Sequence, residues 1–231
     1  MHLFYCPTLT TDVVELPEEE AHHAVHVLRV RAGERVGLLD GKGARAIGDV
    51  IEAGKRGCTV QVLELAREAV DPAAGIHIAV APTKQMERFE WFLEKATEIG
   101  VGRITPLLTT RTERAKLRHD RLERVLVSAM KQSQRTWLPQ LDPLTTLADT
   151  AANTTAQRFF GWCEGTHAPF TTLYKPDMPA LMLIGPEGDF TAEEAELLRE
   201  KGFQAVSLGA ARLRTETAAL AACTWMSLRH A

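Results

Sequence analysis

The chain is predicted to be an α/β protein: a mostly parallel sheet with helices on both faces, preceded by a small β-rich unit. Three observations lead there. Continuous apolar runs such as "IHIAVAP" and "LMLIG" read as strands buried on both faces. Segments with apolar residues at helical spacing lie between such runs, so strand and helix alternate as in βαβ units. Before residue 70 the rhythm differs, and short β-type runs are separated by glycine turns.

Taken in order, residues 18–28 predict an amphipathic helix with Val25 and Leu28 on its apolar side. The runs 35–39, 45–52 and 58–65 predict strands. Asp40-Gly41 with Gly43, and Gly54 with Gly57, are the hairpin signals between them. Asp71-Pro72-Ala73-Ala74-Gly75 breaks the pattern and reads as a linker, giving domains 1–70 and 71–231. "IHIAVAP" opens the second. Helix 84–99 follows, with Met86, Phe89, Leu93 and Ala96 on one face. "RITPLL" is the next strand, and helix 118–135 presents Leu122, Val125, Leu126, Ala129 and Met130 as a stripe. "RFFGWC" and "LMLIG" are strands. Helix 191–201 separates the latter from the strand "AVSLG", and a last helix runs from about Thr215 to the C-terminus.

Composition limits the function classes. With 231 residues, 45% hydrophobic and 25% charged, a packed core is expected. A net charge of −3 argues against a broadly basic nucleic-acid coat protein, though not against a local basic face. Cys6, Cys58, Cys163 and Cys223 lie far apart with no CxxC, so reduced thiols in a cytoplasmic protein are expected. Residues 1–21 lack the layout of a secretory signal, and no apolar run approaches the ~18 residues of a membrane span.

Two loops carry the functional signal. Gly185-Pro186-Glu187-Gly188 ends a strand, and Thr191 with Glu194 has capping-box spacing, so a helix starts just after it. In parallel α/β sheets ligands bind at the carboxyl ends of strands, and glycines permit close approach to the backbone. The plain alternative is a turn. Leu208-Gly209 repeats the theme, and "ARLRTETAAL" leads into the final helix. Neither loop is GxxxxGK[ST] or GxGxxG, which disfavours a phosphate-rich cofactor and leaves a nucleoside-type ligand open.

"LIGPEGDF" followed by "SLGAARLRTETAAL" closely resembles the RsmE family, the uridine-N3 methyltransferases of small-subunit (16S) ribosomal RNA within the SPOUT superfamily. "HHAVHVLRVRAGERVGLLDGKG", "EKATEIGV" and "KQSQR" resemble other stretches of that family, so the likeness covers nearly the whole chain. It implies a trefoil-knotted C-terminal domain, although knots are otherwise rare, and a PUA-like N-terminal β-barrel that binds RNA. It also implies S-adenosyl-L-methionine as cofactor and a homodimer as working unit. The cofactor set it implies is Trp162 at a strand end, then Leu183, Ile184, Gly185, Pro186, Glu187 and Gly188 in the first loop. From the second loop come Leu208, Gly209, Leu213, Arg214, Thr215, Glu216, Thr217 and Ala218. Where the family usually has arginine two places after the second-loop glycine, this chain has Ala211, followed by Arg212. His2 stands where the family commonly has arginine.

Methylating uracil N3 requires loss of the N3 proton, and a fixed cation stabilises the charge that develops. Arginine suits this, so Arg212 and Arg214 are the catalytic candidates. The alternative is that one of them pairs with Glu216. Residues 111–135 carry eight Lys or Arg against three acidic residues, a patch suited to RNA phosphates or simply a solvated helix face. Arg29, Arg31, Arg35, Lys42 and Arg45 form a second basic cluster. The RNA-contacting candidates are His23, Arg29, Arg111, Arg114, Arg121 and Arg135. His22 and His26 have i, i+4 spacing, but His23 replaces the glutamate of HExxH and no partner cluster follows, so no metal is expected. Trp162 reads either as cofactor wall or as core. Beside the methyltransferase stands a non-catalytic RNA-binding or ribosome-assembly protein. A small-molecule hydrolase using Glu187 and a histidine lacks a nucleophile–base constellation.

Overall fold

The computed structural model describes residues 1–54, 57–152 and 156–229. They form two compact units, Met1–Asp71 with Val127–Leu138, and Pro72–Leu126 with Pro139–Ala231. The first unit thus takes in a segment that a single boundary near residue 71 does not include.

In the first unit, β1 (Leu3–Tyr5), β2 (Val13–Glu15) and α1 (Glu18–His22) precede β3 (Arg35–Leu39), β4 (Ala44–Gly54) and β5 (Gly57–Arg67). The sheet order is β1-β3-β4-β5-β2. The pair β1–β3 is parallel and the others are antiparallel. The three expected strands are present: β3 coincides with 35–39, and β4 and β5 extend a few residues beyond 45–52 and 58–65. The helix expected over 18–28 changes character midway. After His22 it widens into a π-helical turn, His23–Val27, with the Leu28 amide donating to the His23 carbonyl at 3.0 Å. Phe4, Val14, Ala24, Leu38 and Val60 meet in the core. Glu20 is buried there, and one carboxylate oxygen accepts from Lys131 Nζ.

The second unit comprises β6 (Ile76–Val80), α2 (Met86–Ile99), β7 (Arg103–Leu108), the start of α3 (His119–Ser133), β8 (Gln140–Leu141), β9 (Thr145–Thr146) and α4 (Leu147–Ala151). Then come β10 (Gln157–Gly161), α5 (Phe170–Leu173), β11 (Ala180–Ile184), α6 (Ala192–Glu200), β12 (Gln204–Val206) and α7 (Thr215–Leu228). The last helix was expected to reach the C-terminus; residues 230 and 231 lie outside the described residues. The sheet runs β12-β10-β11-β6-β7-β8, with β9 also on β7, and every pair is parallel. All residues of β6 and β11 are buried, so both faces of the sheet are covered. α2 and α7 pack together, and α7 lies on β6 and β11. Leu147, Ala195 and Leu198 join Leu181 and Leu183 in one cluster. Among the described residues no helix is long and apolar enough to cross a membrane.

Candidate active-site cleft

Sheet order reverses around β6: the chain moves one way to β7 and β8, and the other way to β11, β10 and β12. Crevices form beyond the strand ends where such an order reverses. A cleft of about 890 Å³ lies to the β11 side of that reversal, walled by the segments that leave β10, β11 and β12. That is within the ~300–1,000 Å³ usual for a small-molecule site.

The first loop is held by its own chain. The Asp189 amide donates to Pro186 O at 2.9 Å, closing the turn. Glu187 Oε1 accepts from the Lys84 amide at 3.1 Å, and Arg111 Nη1 donates to the carbonyls of Gly188 and Phe190. A Cβ on Gly185 would meet Phe190 N at 3.1 Å, and one on Gly188 would meet Arg111 Cδ at 3.2 Å. These glycines therefore serve the packing of the turn. Behind the turn the capping box of Thr191 and Glu194 starts α6, and Glu194 Oε1 also accepts from the Thr110 amide at 2.7 Å.

Gly209, in the second loop, is different. Its φ is +135°, and a Cβ there would meet nothing within 4 Å. Here the backbone lies open on the cleft wall. Thr215 Oγ1 donates to Gly185 O at 3.2 Å and ties the second loop to the first. α7 starts at Thr215 without a side-chain cap on its first amides, so the positive end of a 14-residue helix begins at this wall.

The cleft gathers most of the residues expected at a cofactor. Trp162 closes one side, its ring edge-to-face with Phe160 at 5.9 Å, and it is both wall and core. Ile184, Gly185, Pro186 and Glu187 line a second side. Leu208, Gly209, Leu213, Arg214, Thr215 and Ala218 line a third. Four residues lie off the wall. Leu183 is fully buried in the core cluster, because alternation turns it into the sheet interior. Gly188 sits against Arg111, and Thr217 is exposed on α7. Glu216 is buried with Oε1 3.9 Å from Arg88 Nε, while Oε2 has no partner.

Glu216 thus faces Arg88 and not its sequence neighbours. Arg212 and Arg214 are exposed on the cleft wall, with no ion pair or side-chain hydrogen bond among the described residues. Two unpaired guanidiniums at an uncapped helix start make this wall electropositive.

The strip Cys163–His167 and Asp189, not among the residues expected from sequence, also line the cleft. "CEGTH" directly follows a strand end, and that position was the available signal. His167 Nε2 lies 2.7 Å from Glu164 O, and the Cys163 amide donates to Asp189 Oδ2 at 3.0 Å. Partial desolvation of the Cys163 thiol, although the residue is exposed, and the Asp189 carboxylate raise its pKa, against the opposing charge of Arg212.

The basic stretch is largely spoken for. Arg111 holds the first loop, and Arg114 Nη2 donates to Lys84 O at 3.0 Å. Arg121 pairs with Glu90 at 2.6 Å. Arg118 and Arg124 share Asp120, and Lys131 pairs with Glu20. In the first unit His23 and Arg29 are exposed, whereas Arg135 is half-buried. The His22 and His26 rings lie 4.6 Å apart, tilted by 45°, and border a groove shared with Glu15, Glu18 and Glu19, a setting unsuited to phosphate. No group of three or more potential metal ligands occurs among the described residues.

Comparison with known proteins finds RNA methyltransferases. A model described as RNA methyltransferase domain matches residues 71–227, and one described as RNA methyltransferase PUA domain matches residues 16–63. A Synechocystis protein named Ribosomal RNA small subunit methyltransferase E is 31% identical, over 89% of this chain and 69% of that one. The crystal structure of a probable rRNA-methyltransferase from Porphyromonas gingivalis superposes with a TM-score of 0.91 at 37% identity, over 100% and 98% of the two chains. That of a Ribosomal RNA small subunit methyltransferase E from Neisseria gonorrhoeae bound to S-adenosyl methionine gives 0.89 at 28% identity, over 99% and 97%.

Proposed function

This chain belongs to the RNA methyltransferase family that includes ribosomal RNA small subunit methyltransferase E, and from that premise we propose that it methylates N3 of a uridine in 16S ribosomal RNA, using S-adenosyl-L-methionine. The observation that carries the reading is the cleft at the ends of β10, β11 and β12, open at the backbone of Gly209 and bordered by two unpaired arginines. Its size and its lack of a phosphate cradle fit a nucleoside-type cofactor.

Trp162, Pro186 and Leu208 would enclose the adenosine portion, and the open backbone at Gly209 would meet it. S-adenosylmethionine supplies an electrophilic methyl group on a sulfonium sulfur. The chain's own part is to hold uracil with its N3 lone pair available and to stabilise the negative charge left when the N3 proton passes to solvent water. Arg214 and Arg212 carry that role. A permanently charged guanidinium can bond a uracil carbonyl at the moment the ring becomes anionic, and such fixed charge acts most strongly in a water-poor site.

For RNA, the exposed His23 and Arg29 and the half-buried Arg135 are the candidates that fit best, since Arg111, Arg114 and Arg121 are bound within the chain. The homodimer and the knot belong to the same proposal. The bond from Thr215 to Gly185, which joins the two loops, is compatible with a knotted arrangement.

The test is calorimetric titration with S-adenosylmethionine, followed by methylation of small subunits and of naked 16S RNA, with mass spectrometry of the nucleosides. Binding and a 3-methyluridine product support the reading. No binding, or methyl transfer to another atom, overturns it.

A further inference from the structure

Asp189 is the one described cleft residue other than glycine with a positive φ, at +60°. Aspartate tolerates that conformation better than most residues, yet glycine adopts it at no steric cost. The side chain offers a reason for its presence. Oδ1 accepts from its neighbour, the Phe190 amide, at 2.8 Å. Oδ2 accepts from the Cys163 amide at 3.0 Å. Phe190 follows the first glycine loop, and Cys163 follows Trp162 at the end of β10. One carboxylate therefore links two separate walls of the cleft. Arg111 grips the same loop through the carbonyls of Gly188 and Phe190. Both oxygens of Asp189 are occupied, so it is not poised to move a proton.

We propose that Asp189 is a positioning residue, which holds the Trp162–Cys163 wall against the Gly185–Phe190 loop so that the cleft is preformed for the cofactor. This rests on the function proposed above. Preorganisation of this kind acts on affinity, because a loose wall must be ordered at the moment of binding.

The test compares Asp189→Gly, which keeps the backbone conformation and removes the carboxylate, with Asp189→Asn, which retains one acceptor oxygen. In full-length protein, Asp189→Gly is expected to raise the Kd and KM for S-adenosylmethionine about tenfold, the loss of one charge-assisted contact, with kcat within about twofold. Asp189→Asn is expected to recover part of that loss. A second readout needs no cofactor. Cys163 is exposed while Cys6, Cys58 and Cys223 are buried. Because loss of the Asp189 carboxylate by itself lowers the thiol pKa, rates are compared per thiolate from their pH dependence, and iodoacetamide is expected to label the Cys163 thiolate several-fold faster in Asp189→Gly, with the buried thiols unchanged. Wild-type affinity and wild-type labelling in Asp189→Gly overturn the proposal. So does a fall in melting temperature with kcat and KM worsening together and Cys163 labelling unchanged. If wild-type protein fails to bind S-adenosylmethionine, the functional reading falls, while the labelling arm still decides whether Asp189 joins the two walls.

Discussion

At the scale of single residues, the second loop carries the sharpest expectations. Among the described residues Arg212 and Arg214 have no ion pair or side-chain hydrogen bond to lose, so replacing either with alanine is expected to leave the melting temperature unchanged. A cation that acts only as uracil becomes anionic contributes in the transition state. Its removal is expected to lower single-turnover methylation by about 10²–10³ and spare cofactor affinity. Arg214, adjoining the start of α7, is expected to show the larger loss. Near wild-type rates in both variants would remove the arginine mechanism. Gly209→Val places a β-branched residue at φ +135° and fills the open space on the wall. It is expected to abolish S-adenosylmethionine binding by calorimetry, at a cost of about 1–3 kcal/mol in stability. The arginines and Gly209 were legible in the sequence because they sit within one short stretch. Asp189 and Arg111 were not: what they do depends on partners 26 and 77 residues away, which only the fold supplies.

At the scale of elements, strands of five or more residues and helices of nine or more were largely readable, because one buried face imposes a period on the sequence. β1 and β2 are three residues each, and α4 and α5 are five and four, too short to show a period. The π-helical turn left no sequence signal that we can identify. The capping box of α6 was readable from Thr191 and Glu194, but the added bond from Glu194 to Thr110 was not. Glu194→Ala loses both, and is expected to destabilise the protein by about 2 kcal/mol by denaturant melts. The basic stretch 111–135 was legible as charge, not as free charge. Arg114→Glu and Arg121→Glu are expected to disturb Lys84 and Glu90 more than RNA. In salt titrations of RNA affinity, Arg29→Ala is expected to reduce the slope by about one, with little change for Arg121→Ala. The reverse order would return the phosphate contacts to the basic stretch.

For the whole molecule, stability depends on a polar network inside the second sheet. His77 is buried, its Nε2 2.7 Å from Thr105 Oγ1, and Thr105 Oγ1 donates to Asp142, which also pairs with Arg103 at 2.7 Å. Burial, reinforced by the charge of Arg103 and opposed by that of Asp142, pushes the histidine down to about 4 from an ordinary 6.5. The unfolded chain then binds the proton more tightly, so this contribution is complete above pH 6.5 and is lost as pH falls toward 4. Its full size is about 3 kcal/mol. Thermal melts from pH 7 to 4 are expected to fall less steeply in His77→Asn than in wild type.

The discontinuity of the first unit bears on how the protein comes to be folded at all. Residues 127–138 complete that unit: Thr136 and Trp137 both donate to Glu68, at 2.7 and 3.1 Å, and Lys131 neutralises the buried Glu20. A nascent chain that has emerged only as far as residue 71 holds Glu20 without its counter-charge, a deficit of about 3–5 kcal/mol for a buried pair. The first unit must therefore wait, unfinished, while some fifty-five residues of the second are made. A fragment ending at residue 71 is expected to be poorly protected in hydrogen exchange, and one ending at 138 to gain protection in β4 and β5. Protection gained only in the longer fragment is the result that separates the order of folding from the order of synthesis in this chain.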